Sequence, residues 1–249
     1  IPTMGGIHNG HISLIERSKK LCKKTIVSIF VNPKQFNNKK DFNTYPVNIK
    51  QDLSVLKRIR GIDFIFIPKF KDIYDTDKKS KIKIDINDKI LCAKFRKGHF
   101  EGVLDVMDRL TNLIKPKKIF MGKKDFQQLF LVKNFIEKKY QTKVIGCKTI
   151  RDKNKLALSS RNILFNKDNL ETARNISKRF FLIKKKIEKH KNIKKFLLET
   201  KKKMQKKFKI KIEYLELRNE KNLNVSKKFK GSKLFVAYYL KDIRLIDNF

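Results

Sequence analysis

An alternation constrains this chain most: short apolar, β-branched runs recur through the first 150 residues, with helical patterns between them. The runs at 25–32 (TIVSIFVN), 63–68 (DFIFIP), 118–122 (KIFMG) and 143–151 (KVIGCKTIR) have the length and composition of buried strands. Leu14, Ile15, Ser18, Leu21 and Cys22 mark one helical face between them. Leu53, Leu56 and the 59–62 stretch mark a second, and Val132, Phe135 and Ile136 a third. Strands alternating with helices predict an α/β chain with a Rossmann-like parallel sheet. From about residue 168 the pattern changes. Phe180, Ile183 and Ile187, then Ile193, Phe196, Leu197, Met204 and Phe208, fit two amphipathic, lysine-studded helices, followed by strand-like runs at 209–217 and 233–240. A smaller C-terminal α+β domain is expected, with the division at 1–150 and 151–249. The chain opens on Ile1-Pro2-Thr3, directly before a motif, so a front-truncated first strand is also expected.

Composition excludes several classes. With 40% hydrophobic and 35% charged residues the chain is globular. No apolar run reaches the ~18 residues of a membrane span, and nothing at the front resembles a signal peptide. Cys22, Cys92 and Cys147 are scattered and form no C-x-x-C pair, which fits reduced thiols in a cytoplasmic protein rather than a disulfide framework or zinc site. The net charge of +39 suggests nucleic acid at first sight. The lysines, however, are spread along the chain and are densest at 184–211, at helical spacing, with few arginines. That pattern is a solvated surface, so no specific nucleic-acid partner is expected, although the field would draw in anionic substrates.

Four segments carry chemistry. Met4-Gly5-Gly6-Ile7-His8-Asn9-Gly10-His11 lies between the first strand and a helix. Its glycines let backbone approach a nucleotide. Its two imidazoles, beside free amides and the positive end of a helix dipole, suit phosphate. Phe30, Asn32 and Gln35 sit where the second strand ends, and can hold a small polar acid, with Pro33 setting the turn. Gly122-Lys123-Lys124-Asp125 ends a later strand, and Gln128 follows on the next helix. Leu158-Ser159-Ser160-Arg161 offers two hydroxyls and a guanidinium as a phosphate clamp. Ser160 lacks a G-x-S-x-G elbow, so it does not read as a hydrolase nucleophile. The strand-borne motifs fall at carboxyl ends of predicted strands, the edge where open α/β sheets bind ligands.

Together, PTMGGIHNGH, SIFVNPKQF, DFNTYP, FRKGHFEGV, FMGKKDFQQ, LALSSRN and the closing RLIDN resemble the pantothenate synthetase family of HIGH-type nucleotidyltransferases over nearly the whole chain. The resemblance implies an ATP-dependent ligase that joins pantoate to β-alanine through a pantoyl adenylate, with Mg²⁺ carried on the ATP phosphates. It places Met4 to His11, Gly122 to Asp125, Ile150 and Leu158 to Arg161 around ATP. His8, His11, Lys124, Ser159, Ser160 and Arg161 would act on the phosphates, with His11 the proton donor. Gln35 and Gln128, with Met4, Phe30 and Asn32, would take pantoate and β-alanine. Asp52 would help to place the metal. A homodimer is implied.

Some positions depart from the family pattern: Lys123 stands where Glu is usual, Lys97 where Pro is, Lys155 or Leu156 where Gly is, and Glu213 where Asp is. The other reading in the same superfamily is a nucleotidyltransferase acting on a phosphorylated acceptor. Neutral Gln35 and Gln128 suit a carboxylate and hydroxyls better than a phosphate.

Overall fold

The computed structural model describes residues 1–74 and 80–249, in two compact units, Ile1–Ile150 and Arg151–Phe249. In the first unit β1 (Pro2–Thr3), α1 (Asn9–Leu21), β2 (Ile26–Ile29), α2 (Lys39–Asn43), α3 (Ile49–Lys57) and β3 (Phe64–Phe66) follow in order. Then come α4 (Phe70–Ile73), α5 (Leu91–Phe95), α6 (His99–Ile114), β4 (Lys118–Gly122), α7 (Phe126–Lys139) and β5 (Lys143–Cys147). The order β1-β2-β3 forms one parallel ladder, with Thr3 opposite Ile29 and Val27 opposite Ile65. β4 and β5 form a second, with Ile119 opposite Val144.

Parallel strands need both faces covered, and α1 supplies part of that cover. Its Leu14 and Ile15 pack with Val27, Ile29, Leu56 and Phe120 in one apolar cluster. Leu21, expected on the same face, is exposed at the helix end. Every predicted strand of this unit exists, most of them shorter than the apolar run. β2 stops at Ile29, and Asn32 then caps a 3-10 turn over Pro33–Gln35, accepting the Lys34 N–H. β5 ends at Cys147, short of residue 151.

The helical faces read from the sequence do not include α6, which is buried along much of its length, from His99 and Phe100 to Leu110 and Thr111. Its period is nonetheless present, with Phe100, Val103, Leu104, Met107 and Leu110 at helical spacing and Glu101, Asp108 and Asn112 between them.

The second unit packs α8 (Lys167–Ile187) and α9 (Ile193–Phe208) on an antiparallel sheet of β6 (Lys211–Asn219), β7 (Ser232–Leu240) and β8 (Ile243–Asn248). This α+β arrangement adds β8, which the apolar pattern did not show. Phe180 is fully buried against Tyr238 and Phe249, and emptying such a site costs about 3–5 kcal/mol. Arg151 joins the start of this unit to its end. It donates to Asp247 through both Nη atoms, at 2.7 and 2.8 Å, and lies 4.9 and 5.0 Å from the Phe181 and Phe249 rings. Among the described residues, no helix is long and apolar enough to cross a membrane.

Candidate active site

The turn from β1 to α1 is built by its own polar groups. Thr3 Oγ1 donates to the Ser28 carbonyl at 2.8 Å and accepts the Gly5 N–H at 3.3 Å. Gly5 and Gly6 have left-handed backbone, φ +80° and +62°. A Cβ at Gly5 would lie 2.7 Å from Asp52 Oδ2, so this approach also excludes a side chain. Asp52, on α3 and 3% exposed, accepts the Gly6 N–H at 2.9 Å and the Ile7 N–H at 2.7 Å, one on each oxygen. Beside the metal-placing role expected of Asp52, the structure shows a structural one. Its carboxylate is buried and committed to two amides, and it fixes the glycine loop. Among the described residues, no group of three His, Cys, Asp or Glu could hold a metal ion.

His8 and His11 form a reciprocal capping box at the start of α1. His8 Nδ1 accepts the Gly10 N–H at 3.0 Å, and His11 Nδ1 accepts the His8 N–H at 3.3 Å. The His11 and Ile12 N–H groups both go to the His8 carbonyl. The free amides expected for a phosphate are therefore largely occupied, Gly10 by the His8 ring and His11 and Ile12 by the His8 carbonyl. The gain lies in the rings. An Nδ1 that accepts leaves the proton of a neutral imidazole on Nε2, so both residues present N–H donors. The rings lie 4.2 Å apart. A Cβ at Gly10 would come within 2.6 Å of His8 Cε1, which is why glycine stands there.

Electrostatics keep both rings neutral. Burial lowers His8 to about 4, with the positive charge of Lys124 adding to the effect and Asp125 opposing it. Burial also lowers His11 to about 3, with His8 and Lys124 adding to the effect against Asp125. At neutral pH His11 is thus a hydrogen-bond donor that carries no additional proton. Lys124 follows β4 and pairs with Asp125 at 3.1 Å. Lys123 is exposed, with its stem over Gly146. Within the first unit the fold therefore brings His8, His11, Lys124 and Asp125 into one electrostatic cluster.

Beside it, Gln35 is buried, and its Nε2 faces Met4 Sδ at 2.6 Å. Its Oε1 accepts from Asn32 Nδ2 at 3.4 Å, which sets the orientation of the amide. Asn32 itself is 1% exposed and spent. Its Nδ2 also donates to the Gly102 carbonyl, and its Oδ1 accepts from the Lys34 N–H and the Tyr74 hydroxyl. Asn32, expected at the ligand, orients Gln35. Phe30 is buried, 6.4 Å from the Tyr74 ring. Of the pair on α7, Gln127 is the structural one. Its amide binds Asp88 O, Ile90 O and Cys92 N, while Gln128 is half-buried beside it. Gly122 closes β4, and Ile150 ends the first unit.

In the second unit, Ser159 caps the 3-10 turn Ser160–Leu164 and accepts the Arg161 N–H at 3.3 Å. Ser160 is buried, whereas Leu158, Ser159 and Arg161 are half-exposed.

Parallel strands, a glycine turn and paired H-x-G-H imidazoles at a helix start define a nucleotide-binding protein of the HIGH nucleotidyltransferase class. Comparison narrows this class. The model of the pantoate–β-alanine ligase family matches residues 1–249. Pantothenate synthetase of Sulfurihydrogenibium sp. (strain YO3AOP1) is 37% identical over 252 residues, covering 100% of this chain and 90% of that protein. The crystal structure of pantothenate synthetase from Thermus thermophilus superposes with a TM-score of 0.92 at 27% identity, covering 100% of this chain and 91% of that one. The pantoate–β-alanine ligase of Francisella tularensis, solved with beta-gamma ATP and β-alanine, gives 0.83 at 36% identity, covering 100% and 87%. The chain belongs to the pantoate–β-alanine ligase family. It is an ATP-dependent ligase of pantoate and β-alanine.

Proposed function

We propose that the chain makes pantothenate in two half-reactions at the site of its first unit. A pantoate carboxylate oxygen attacks the α-phosphorus of ATP, the bond from that phosphorus to the bridging oxygen breaks, and pyrophosphate leaves. The neutral amine of β-alanine then attacks the acyl carbon of pantoyl adenylate. The carbon–oxygen bond to phosphate breaks, AMP departs with the electron pair, and the amine proton goes to solvent. The single observation that carries the assignment of roles is the capping box, which leaves both Nε2–H groups as donors beside the Lys124 charge. Hydrogen bonds from neutral imidazoles and a lysine charge stabilise the negative charge that builds on the departing phosphate.

In this reading, residues 4–11 and Gly122 to Asp125 hold the nucleotide, with Ile150 beside the base. Gln35, its amide oriented by Asn32, binds pantoate together with Gln128 and the Phe30 wall. Ser159, Ser160 and Arg161 are the further candidates for phosphate contacts. Mg²⁺ enters on the ATP phosphates as part of the substrate. The complex of the Francisella relative with beta-gamma ATP and β-alanine supports this ligand set. A homodimer in the cytoplasm fits the family.

Pyrophosphate release tests the reading. With ATP and pantoate, and β-alanine withheld, a burst of pyrophosphate equal to the enzyme present is expected, followed by turnover once β-alanine is added. Pyrophosphate that appears only after β-alanine is added, with no burst before it, would contradict the adenylate route.

A further inference from the structure

The motif Phe95-Arg96-Lys97-Gly98-His99-Phe100-Glu101-Gly102-Val103 supplies none of the groups assigned above, yet its Arg96, His99 and Gly102 approach the segment around Gln35. His99 is 7% exposed, and its Nδ1 lies 2.6 Å from the Gln35 carbonyl oxygen. Its Nε2 lies 3.1 Å from Arg96 Nη1. A guanidinium only donates and a carbonyl only accepts, so these two neighbours fix the ring as the neutral tautomer with its proton on Nδ1. Arg96 reaches the same loop further on, with its Nε 3.5 Å from Asn37 Oδ1 and its Nη2 3.5 Å from Asp41 Oδ2. Gly102 lets α6 press on the Lys34 and Gln35 backbone, where any Cβ would collide with the Lys34 carbonyl.

We infer that Arg96 and His99 form a latch that positions the pantoate-binding glutamine, His99 by holding the Gln35 carbonyl and Arg96 by holding His99 in the tautomer that can do so. The inference rests on the reading that Gln35 binds pantoate. Asn32 sets the rotation of the Gln35 amide, and it also accepts the Gln35 N–H on its own carbonyl at 3.3 Å. His99 sets where the backbone beneath that amide lies. A glutamine with a fixed amide on a displaced backbone would still miss the ligand, because recognition hydrogen bonds weaken steeply with geometry. His99 is therefore a positioning residue that acts through Gln35, and its effect belongs to pantoate rather than to ATP.

The test measures KM for pantoate and for ATP, with kcat and Tm, in four variants. His99→Leu removes the donor, whereas His99→Asn places an amide N–H near the Nδ1 position and keeps it. Loss of one buried hydrogen bond at the turn should raise the pantoate KM about tenfold in His99→Leu. The ATP KM should stay within about twofold, and His99→Asn should be close to wild type. Arg96→Gln should raise the pantoate KM selectively as well.

A wild-type pantoate KM in His99→Leu, equal rises for ATP and pantoate, or failure of His99→Asn to rescue would overturn the latch. If His99→Leu does not fold, Arg96→Gln decides, and a wild-type pantoate KM there overturns it. Gln35→Ala separates the two levels. An unchanged pantoate KM in that variant brings down the reading of the site. A raised pantoate KM in Gln35→Ala, with His99→Leu silent, brings down the latch alone.

Discussion

At the residue scale, the paired histidines serve two purposes with different atoms. Their Nδ1 atoms cap the start of a helix, which leaves their Nε2–H groups as donors. Replacing either ring should therefore disturb both helix start and chemistry, and Asn at position 8 is the gentlest change because it remains a good N-cap. Lys124→Ala and His11→Asn should each lower kcat about 10²–10³-fold, with the circular dichroism spectrum unchanged in Lys124→Ala. Steady-state assays would show it, and wild-type rates in both would remove these groups from the reaction. The lowered histidine values also predict a response to acid. Below the ordinary value of 6.5 the unfolded chain takes up protons on these rings, while the folded chain does not until about 4 and about 3. Stability is thus complete above pH 6.5 and falls as the pH drops toward 4. Denaturant melts across that range should show a shallower fall in the His8→Asn/His11→Asn double variant.

At the element scale, each half of the chain depends on a buried carboxylate that bridges distant sequence. Asp52 links α3 to the glycine loop after β1. Asp52→Ala leaves two buried amides without partners, and each such loss costs about 1–3 kcal/mol. A lowered Tm with a raised KM for ATP is expected, while the pantoate KM holds. In the second unit Asp247 on β8 pairs with Arg151. Asp247→Ala leaves the Arg151 guanidinium with only the Lys155 and Asn248 carbonyls as acceptors, at up to about 3–5 kcal/mol, and should lower the Tm with little direct effect on KM. The element-scale comparison also shows what sequence makes legible. The strand-ending motifs, the parallel order and the α+β second half follow from period and composition. The roles of Asp52 and Asn32 do not, because a carboxylate or an amide looks the same in sequence whether it meets a ligand or a backbone. The latch on α6 is hidden for another reason. The tie from His99 to Gln35 spans 64 residues, and no local pattern reports a contact at that separation.

At the scale of the whole molecule, the net charge of +39 sets conditions under which the fold must survive. Lysine-rich faces such as those of α8 and α9 repel one another in the compact state. Added salt screens this over about 8–10 Å near physiological strength. Tm should therefore rise as sodium chloride is raised from low concentration, and a falling Tm would show that ion pairs outweigh repulsion. The same field favours ATP and pantoate, both anions, at the positive site. Oxygen-18 tests the central claim, that pantoate is activated by direct attack on the α-phosphorus. Pantoate labelled in its carboxylate should leave one labelled oxygen in the phosphate of AMP, read by mass spectrometry, and none in pyrophosphate. Label in pyrophosphate or orthophosphate, or unlabelled AMP, would contradict the account.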